Sequence, residues 1–329
     1  MTFMAGLRGI FSRITNHAAA PRPAERAQGS GGGRSFVRVG LAVLAGLVLL
    51  WIAGMAFIHR IDDDLAFRPT TDQGSRAVAT AAALLEREIA RWTPNAPWFH
   101  PAASLDNMPN YQIGILSGTA RFTLEMAEQL ARTRGSSSID VDLDRAAGLL
   151  RYDPTTWLWG QGNLVPKPTA TSQYKIAVQH LRAYNQRLAA DQAVYDQRAD
   201  NLIGLLERIA SDLGSVSASL DRRTQESNAA YFDREADDIF YNVKGRTYVY
   251  ALLLRDIGAD FDQVLREKQA AQIWANMLAS LNVAAEMDPI VVSNGKQDGL
   301  LFPSHLTAQG FYLLRARTQM REAIDALVK

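Results

Sequence analysis

Residues Val39 to Ile58 read VGLAVLAGLVLLWIAGMAFI, a run without one charged side chain. An α-helix rises about 1.5 Å per residue, so about twenty such residues cross the roughly 30 Å hydrocarbon core of a bilayer. No second apolar run of that length follows. The expectation is a single membrane anchor containing Val39, Leu50, Trp51 and Ile58, with nearly all the mass on one side of it. Ala56, with Gly54 before it, makes a small-x-small cleavage site. That site lies inside the apolar run, which is longer than a signal-peptide core of about 7–15 residues, so the anchor is expected to stay uncleaved.

Working outward, the flanking charges set an orientation. Arg8, Arg13, Arg22, Arg26, Arg34 and Arg38 precede the run against Glu25 alone, while Asp62, Asp63 and Asp64 follow soon after His59 and Arg60. Positive residues stay cytoplasmic. The N-terminus is therefore expected inside and residues from about 60 onward outside, which in a Gram-negative bacterium is the periplasm. The net charge of +1 carries its positive excess in the N-terminal arm, so no basic face points to nucleic acid. Cysteine is absent, which excludes disulfides, thiol nucleophiles and Cys-ligated metal centres.

The arm, residues 1–35, places Phe3, Met4, Leu7, Ile10, Phe11 and Ile14 at helical spacing opposite Arg8 and Arg13. A lipid-surface helix and an unstructured topology signal both fit that pattern. Ala18 to Ser35 is a linker rich in Ala, Pro, Arg and Gly, and its GSGGGRS lacks the Gly-Lys-Ser/Thr ending of a phosphate loop. Such an arm is too small for a kinase or a DNA-binding domain, which argues against a self-contained receptor. The chain thus divides into the arm (1–35), the anchor (36–59) and an exported domain (60–329).

That domain reads as mostly α. Helices are predicted from about Ser75 to Trp92, from near Pro109 to Leu130, after a cap at Ser138 or Asp140, and from about Ser304 to Leu327. Between 172 and 220, Tyr174, Leu181, Leu188, Tyr195, Leu202, Ile209 and Val216 form a seven-residue column. A second column changes side near Asp191, and Gly204 and Gly214 allow a bend. The expectation is a long coiled-coil-like helix paired within the chain, against the helical region from about Asn228 to Glu286, in preference to a homodimer. Pro289–Val292 and Gly299–Phe302 flank Ser293-Asn294-Gly295, which leaves room for one small β-hairpin.

Three stretches carry a resemblance: LDNMPNYQIG (Leu105 to Gly114), READDIFYNVKGRTYVYALLL (Arg234 to Leu254) and PIVVSNGKQDGLLFPSHL (Pro289 to Leu306). In this order they resemble an uncharacterised proteobacterial family of inner-membrane proteins, domain of unknown function twenty-three thirty-three. The resemblance covers most of residues 36–329 and implies an anchor with a helical exported domain. It carries over no activity and no site residues.

Residue chemistry offers few candidate sites. The five histidines, His17, His59, His100, His180 and His305, form no ligand or acid–base spacing, and no metal or cofactor is expected. Asp233, Asp237 and Asp238, near Glu235, are the best carboxylate cluster, able to share a cation or a proton; a helix N-terminus paired with Arg234, Lys244 or Arg246 accounts for it more simply and is the favoured reading. Trp157 and Trp159, with Trp98 and Phe99, make an aromatic set suited to sugar faces, to a partner's apolar side chains, or to packing between loops. Ser117, Ser293 and Ser304 lie in no nucleophile motif. The expected function is therefore a non-enzymatic envelope scaffold or adaptor. Its partners would be the lipid bilayer and another envelope protein or a second copy. A glycan- or lipid-modifying hydrolase and a ligand sensor are the alternatives.

Overall fold

The structure, a computed structural model, describes residues 31–70, 73–130, 139–158, 165–226, 233–295 and 304–329. The chain divides into two compact units, residues 1–49 and 50–329. The first helix, α1, spans Gly31–Ile58 and is uncharged from Val39 onward, within a candidate membrane span of Phe36–Ile58. It is the one helix among the described residues long and apolar enough to cross a membrane. Val39 and Leu50 are exposed, as lipid-facing side chains would be.

The second unit is helical throughout its described part. Helix α2 (Arg76–Ile89) starts where the Ser75 side chain accepts the Val78 amide, and α3 (Asn107–Glu125) runs on into a π-helical turn, Met126–Leu130. Asp140 caps α4 (Val141–Leu149), accepting from the amides of Asp142 and Leu143. There follow α5 (Ala170–Ala189), α6 (Ala199–Glu226), α7 (Arg234–Asp260), the short α8 (Asp262–Glu267), α9 (Ala271–Glu286) and α10 (His305–Val328). No strand forms among the described residues. Where a hairpin had room to form there is one isolated bridge, Asn294 to Ser304, and residues 296–303 lie outside the description.

Helix α7 is the core of this unit. From Thr247 to Leu254 every side chain is buried, so the helix is enclosed on all sides. Helices α2, α3, α6 and α9 pack around it, α10 closes over α6 and α9, α5 packs on α2, and α4 packs on α5 and α3. The α3–α7 crossing is especially close. A Cβ on Gly114 would run into the Asn242 carbonyl, and one on Gly245 would run into the Tyr111 carbonyl. Glycine there lets two backbones meet, and both glycines lie in the stretches that carry the family resemblance.

The long heptad helix is not continuous. The seven-residue column runs through α5 and α6 but breaks between Ala189 and Ala199. Asp191 takes φ 57°, and the Gln192 amide donates to the Arg187 carbonyl at 2.7 Å. A left-handed residue followed by that bond is a Schellman ending, which turns the chain out of the helix. The apolar positions serve two separate interfaces. Tyr174, Ala177 and Leu181 are buried on α5, which packs against α2 and α4. Leu202, Leu206, Ile209 and Leu213 are buried on α6, whose main partner is α10, with α7 second. The expected pairing with 228–286 is thus a minor contact.

Candidate functional site

Immediately after α1 the chain runs as a strap across the helical core. Arg87, from α2, donates to the Asp62 carbonyl at 2.8 Å and pairs with the Asp62 carboxylate at 3.1 Å. The Tyr111 hydroxyl, from α3, donates to the same carbonyl at 2.9 Å. On α7 three residues continue the series: Lys244 pairs with Asp63 at 2.6 Å, the Tyr248 hydroxyl donates to the Asp64 carbonyl at 3.0 Å, and Arg255 donates to the Leu65 carbonyl at 2.9 Å. Ile61, Leu65 and Phe67 pack on the core, with the Arg87 guanidinium 4.9 Å over the Phe67 ring. Strap residues 63, 64 and 65 thus match successive positions along α7, so the strap runs parallel to it.

Lys244 is fully buried, and its ammonium also donates to the Met287 carbonyl at 2.7 Å. A lysine sits there because both of its partners are fixed: a bare ammonium could not be buried without them. Burial weakens the charge on Arg87, but Glu88, Tyr248 and Asp62 outweigh it and hold the guanidinium above its ordinary range. Burial raises the hydroxyls of both tyrosines, that of Tyr248 to about 12, so they stay protonated donors. In the sequence the acidic run reads only as a topology signal. Its second role depends on cations and hydroxyls from three distant helices, which no local pattern marks.

The acidic candidates divide. Asp233 is the N-cap of α7: it accepts the Ala236 amide at 3.2 Å and the Arg223 Nε at 2.9 Å. Those bonds and the Arg223 charge hold its carboxyl below the ordinary value despite burial. Asp237 and Asp238 face the start of α3 instead. Asn110 donates to Asp238 at 2.7 Å, and Asn107, with its amide nitrogen turned towards the carboxylates, donates to Asp237 and Asp106. Burial, with Asp106 and Asp238 close by, pushes Asp237 up to about 6. A cleft of about 320 Å³ beside Asp238 is lined by residues that include Asn110, Ser219, Asn242 and Arg246, with no ring of the tryptophan set. No group of three metal-ligating side chains occurs among the described residues.

The aromatic candidates do come together. Phe99 stacks edge-on between Trp98, at 5.7 Å, and Trp157, at 5.9 Å. Trp98 is 84% exposed and Phe99 54%, so these rings form a surface ridge and not a packed loop crossing. Trp159 lies outside the described residues. Trp92, by contrast, is inside, edge-on to Tyr174 at 5.3 Å.

Both partly buried histidines among the described residues, His180 and His305, are occupied structurally. His180 pairs with Asp142 at 2.8 Å. His305 accepts the Ser293 amide at 3.0 Å on the Nδ1 that also faces the Ser293 hydroxyl, so this nitrogen is committed to the turn and not to activating a nucleophile. Glu125 is a carboxylate that no sequence pattern singles out. It is 2% exposed, between Arg121 and Arg208. Burial raises its pKa, against the pull of Arg121.

These features define a class: an all-helical domain that follows one apolar N-terminal helix and holds residues 62–65 with buried and partly buried cations. The chain belongs to the family described as an uncharacterized protein conserved in bacteria, DUF2333, whose model matches residues 73–235 and 225–327. No curated protein and no solved structure matches it. The three resembling stretches meet around α7. They supply Gly114 and Gly245 to the α3–α7 crossing, and Asn294 lies 3.5 Å from the Asp233 carboxylate at the helix start.

Proposed function

We propose that the protein is a non-enzymatic scaffold or adaptor of the bacterial envelope. It is held in the inner membrane by α1, with its N-terminus in the cytoplasm and its helical domain in the periplasm. The observation that carries this reading is the strap. An enzyme acting on diffusing substrate needs only a tether, whereas here Arg87, Lys244, Tyr248 and Arg255 fasten residues 62–65 to the domain core. Residues fastened in this way leave no slack at 62–65, as suits a domain that presents a docking surface and not a mobile catalytic head. One such surface is the groove between α6 and α10, where Phe311 and Leu314 are 59% and 56% exposed.

Deleting the heptad region is a poor test, because Tyr174, Leu202 and Ile209 are core residues. Photocrosslinking amino acids at Phe311 and Leu314, at native expression, interrogate the surface without removing the core. The control is the same anchor fused to an unrelated exported domain. Enrichment of one or a few envelope proteins over that control is the expected result. Recovery of the protein alone, from membranes in which a known complex survives, would overturn the adaptor reading.

A ligand sensor is the second reading, favoured by a cleft of about 310 Å³ between α2 and α5 lined by Val78, Ala82, Arg182 and Asn185. Its polar groups already have work inside the protein: Arg182 pairs with Glu86, and Asn185 binds the Ser75 amide and the Gln73 carbonyl. The hydrolase reading required carboxylates and rings in one groove. The cleft at Asp238 contains no ring of the set.

A further inference from the structure

The last two turns of α1 carry a face that the rest of the helix lacks. Trp51, Gly54, Met55 and Ile58, spaced three and four apart, are partly buried, while Ile52 and Phe57 between them are 54% and 87% exposed. What covers this face is the loop just before α3. The Trp51 indole donates to the Ser104 hydroxyl at 3.3 Å, and a Cβ on Gly54 would stand 3.0 Å from the Pro101 ring. Pro101–Ser104 is a single 3₁₀ turn, capped by the His100 side chain, which accepts the Ala102 amide.

This contact fixes a depth. Gly54 precedes the end of the apolar helix by about 6 Å, and Trp51 by about 10 Å. If α1 spans the bilayer, the 3₁₀ turn touching both lies within the interfacial layer and not above it. Trp98 and Phe99 precede Pro101 by at most about 11 Å and 8 Å of chain. They are the most exposed rings of the ridge. Indole and phenyl rings favour the headgroup boundary, where an apolar body and a polar edge are both satisfied.

We propose that the Trp98–Phe99 ridge is a second membrane contact, seated in the lipid headgroup layer beside the anchor. It rests on the reading of α1 as a bilayer span. The contact is apolar, so neutral phosphatidylcholine suffices and no anionic headgroup is needed.

The absence of cysteine allows a direct test on the full chain. Three single variants, Phe57→Cys, Trp98→Cys and Val328→Cys, each replace an exposed side chain and carry an environment-sensitive fluorophore in phosphatidylcholine vesicles with brominated acyl chains. The expected result is a blue shift and bromine quenching at 57 and 98, and neither at 328. Quenching at 57 with water-like emission at 98 would overturn the ridge contact and leave the anchor standing. No quenching at either position would overturn both. Water-like emission at 98 in pure vesicles, becoming shielded only in native membranes, would identify a protein as the occupant and overturn the lipid assignment.

Discussion

At the scale of single residues, charges in this chain are placed by what they satisfy, and two of them make measurable predictions. Lys244→Met keeps the apolar stem but leaves the Asp63 carboxylate and the Met287 carbonyl without their donor. Removing one member of a buried pair costs about 3–5 kcal/mol, and the partial exposure of Asp63 brings the expected loss to about 2 kcal/mol. Denaturant unfolding of the full chain in detergent would measure it, and an unchanged midpoint would show that the strap is not fastened there. Asp237 works in the opposite sense. Its carboxyl is raised to about 6 in the fold, so the folded state favours the protonated form. The stability it contributes is present below the unfolded value near 3.8 and is lost as pH rises through about 6. Asp237→Asn should therefore stabilise the protein at pH 7.5 by about 1 kcal/mol, discounted for solvent screening, and have no effect near pH 3. Equal effects at both pH values would refute burial beside Asp106 and Asp238 as the cause.

At the scale of elements, the ends and crossings of helices decide more than their interiors. Asp191 supplies a sign test. In a continuous heptad helix, Asp191→Gly would cost a few tenths of a kcal/mol or more. At a left-handed helix ending the same change relieves a Cβ clash and should stabilise by up to about 1 kcal/mol. Thermal unfolding reads the sign directly. The α3–α7 crossing predicts the reverse for its glycines. Gly114→Ala or Gly245→Ala forces a methyl into the opposing backbone and should cost at least about 2 kcal/mol, whereas Gly148→Ala, with open space around it, should be neutral or slightly stabilising. Comparable losses at all three positions would mean that helix propensity, and not close approach, governs these sites. At this scale the sequence is legible only in part. The caps at Ser75, Asp140 and Ser304 can be read from it because capping is local chemistry. The break at Asp191 is legible only as a change of side in the second column, because the seven-residue spacing of the first continues through it by coincidence of register.

At the scale of the whole molecule, the proposed reading is a helical domain carried on a membrane anchor. The arginine excess before α1 predicts the orientation. Alkaline phosphatase fused after Lys329 should be active in cells, and a fluorescent reporter that folds only in the cytoplasm should be dark at the same place. The reverse pattern would place the domain in the cytoplasm and remove the envelope from the functional reading. The proposed membrane contact draws on the strap and on the ridge together. Neither element announces itself in one dimension: Asp62–Asp64 looks like a charge signal, and Trp98-Phe99 like loop packing.

The sequence by itself determined what depends on neighbours along the chain. The length and apolarity of α1, the helical character of the domain, its caps and its family all follow from composition and short-range spacing. Only the tertiary structure decided which faces meet. It split the heptad column between two interfaces and gave Asp233 to a helix cap. It also brought Arg87, Lys244 and Arg255 from two helices onto one strap, and set the turn before α3 against the end of α1. The physical reason is that apolar periodicity states only that a face is buried. Its partner is chosen by close packing and by satisfying every buried polar group at once, and both conditions belong to the assembled chain.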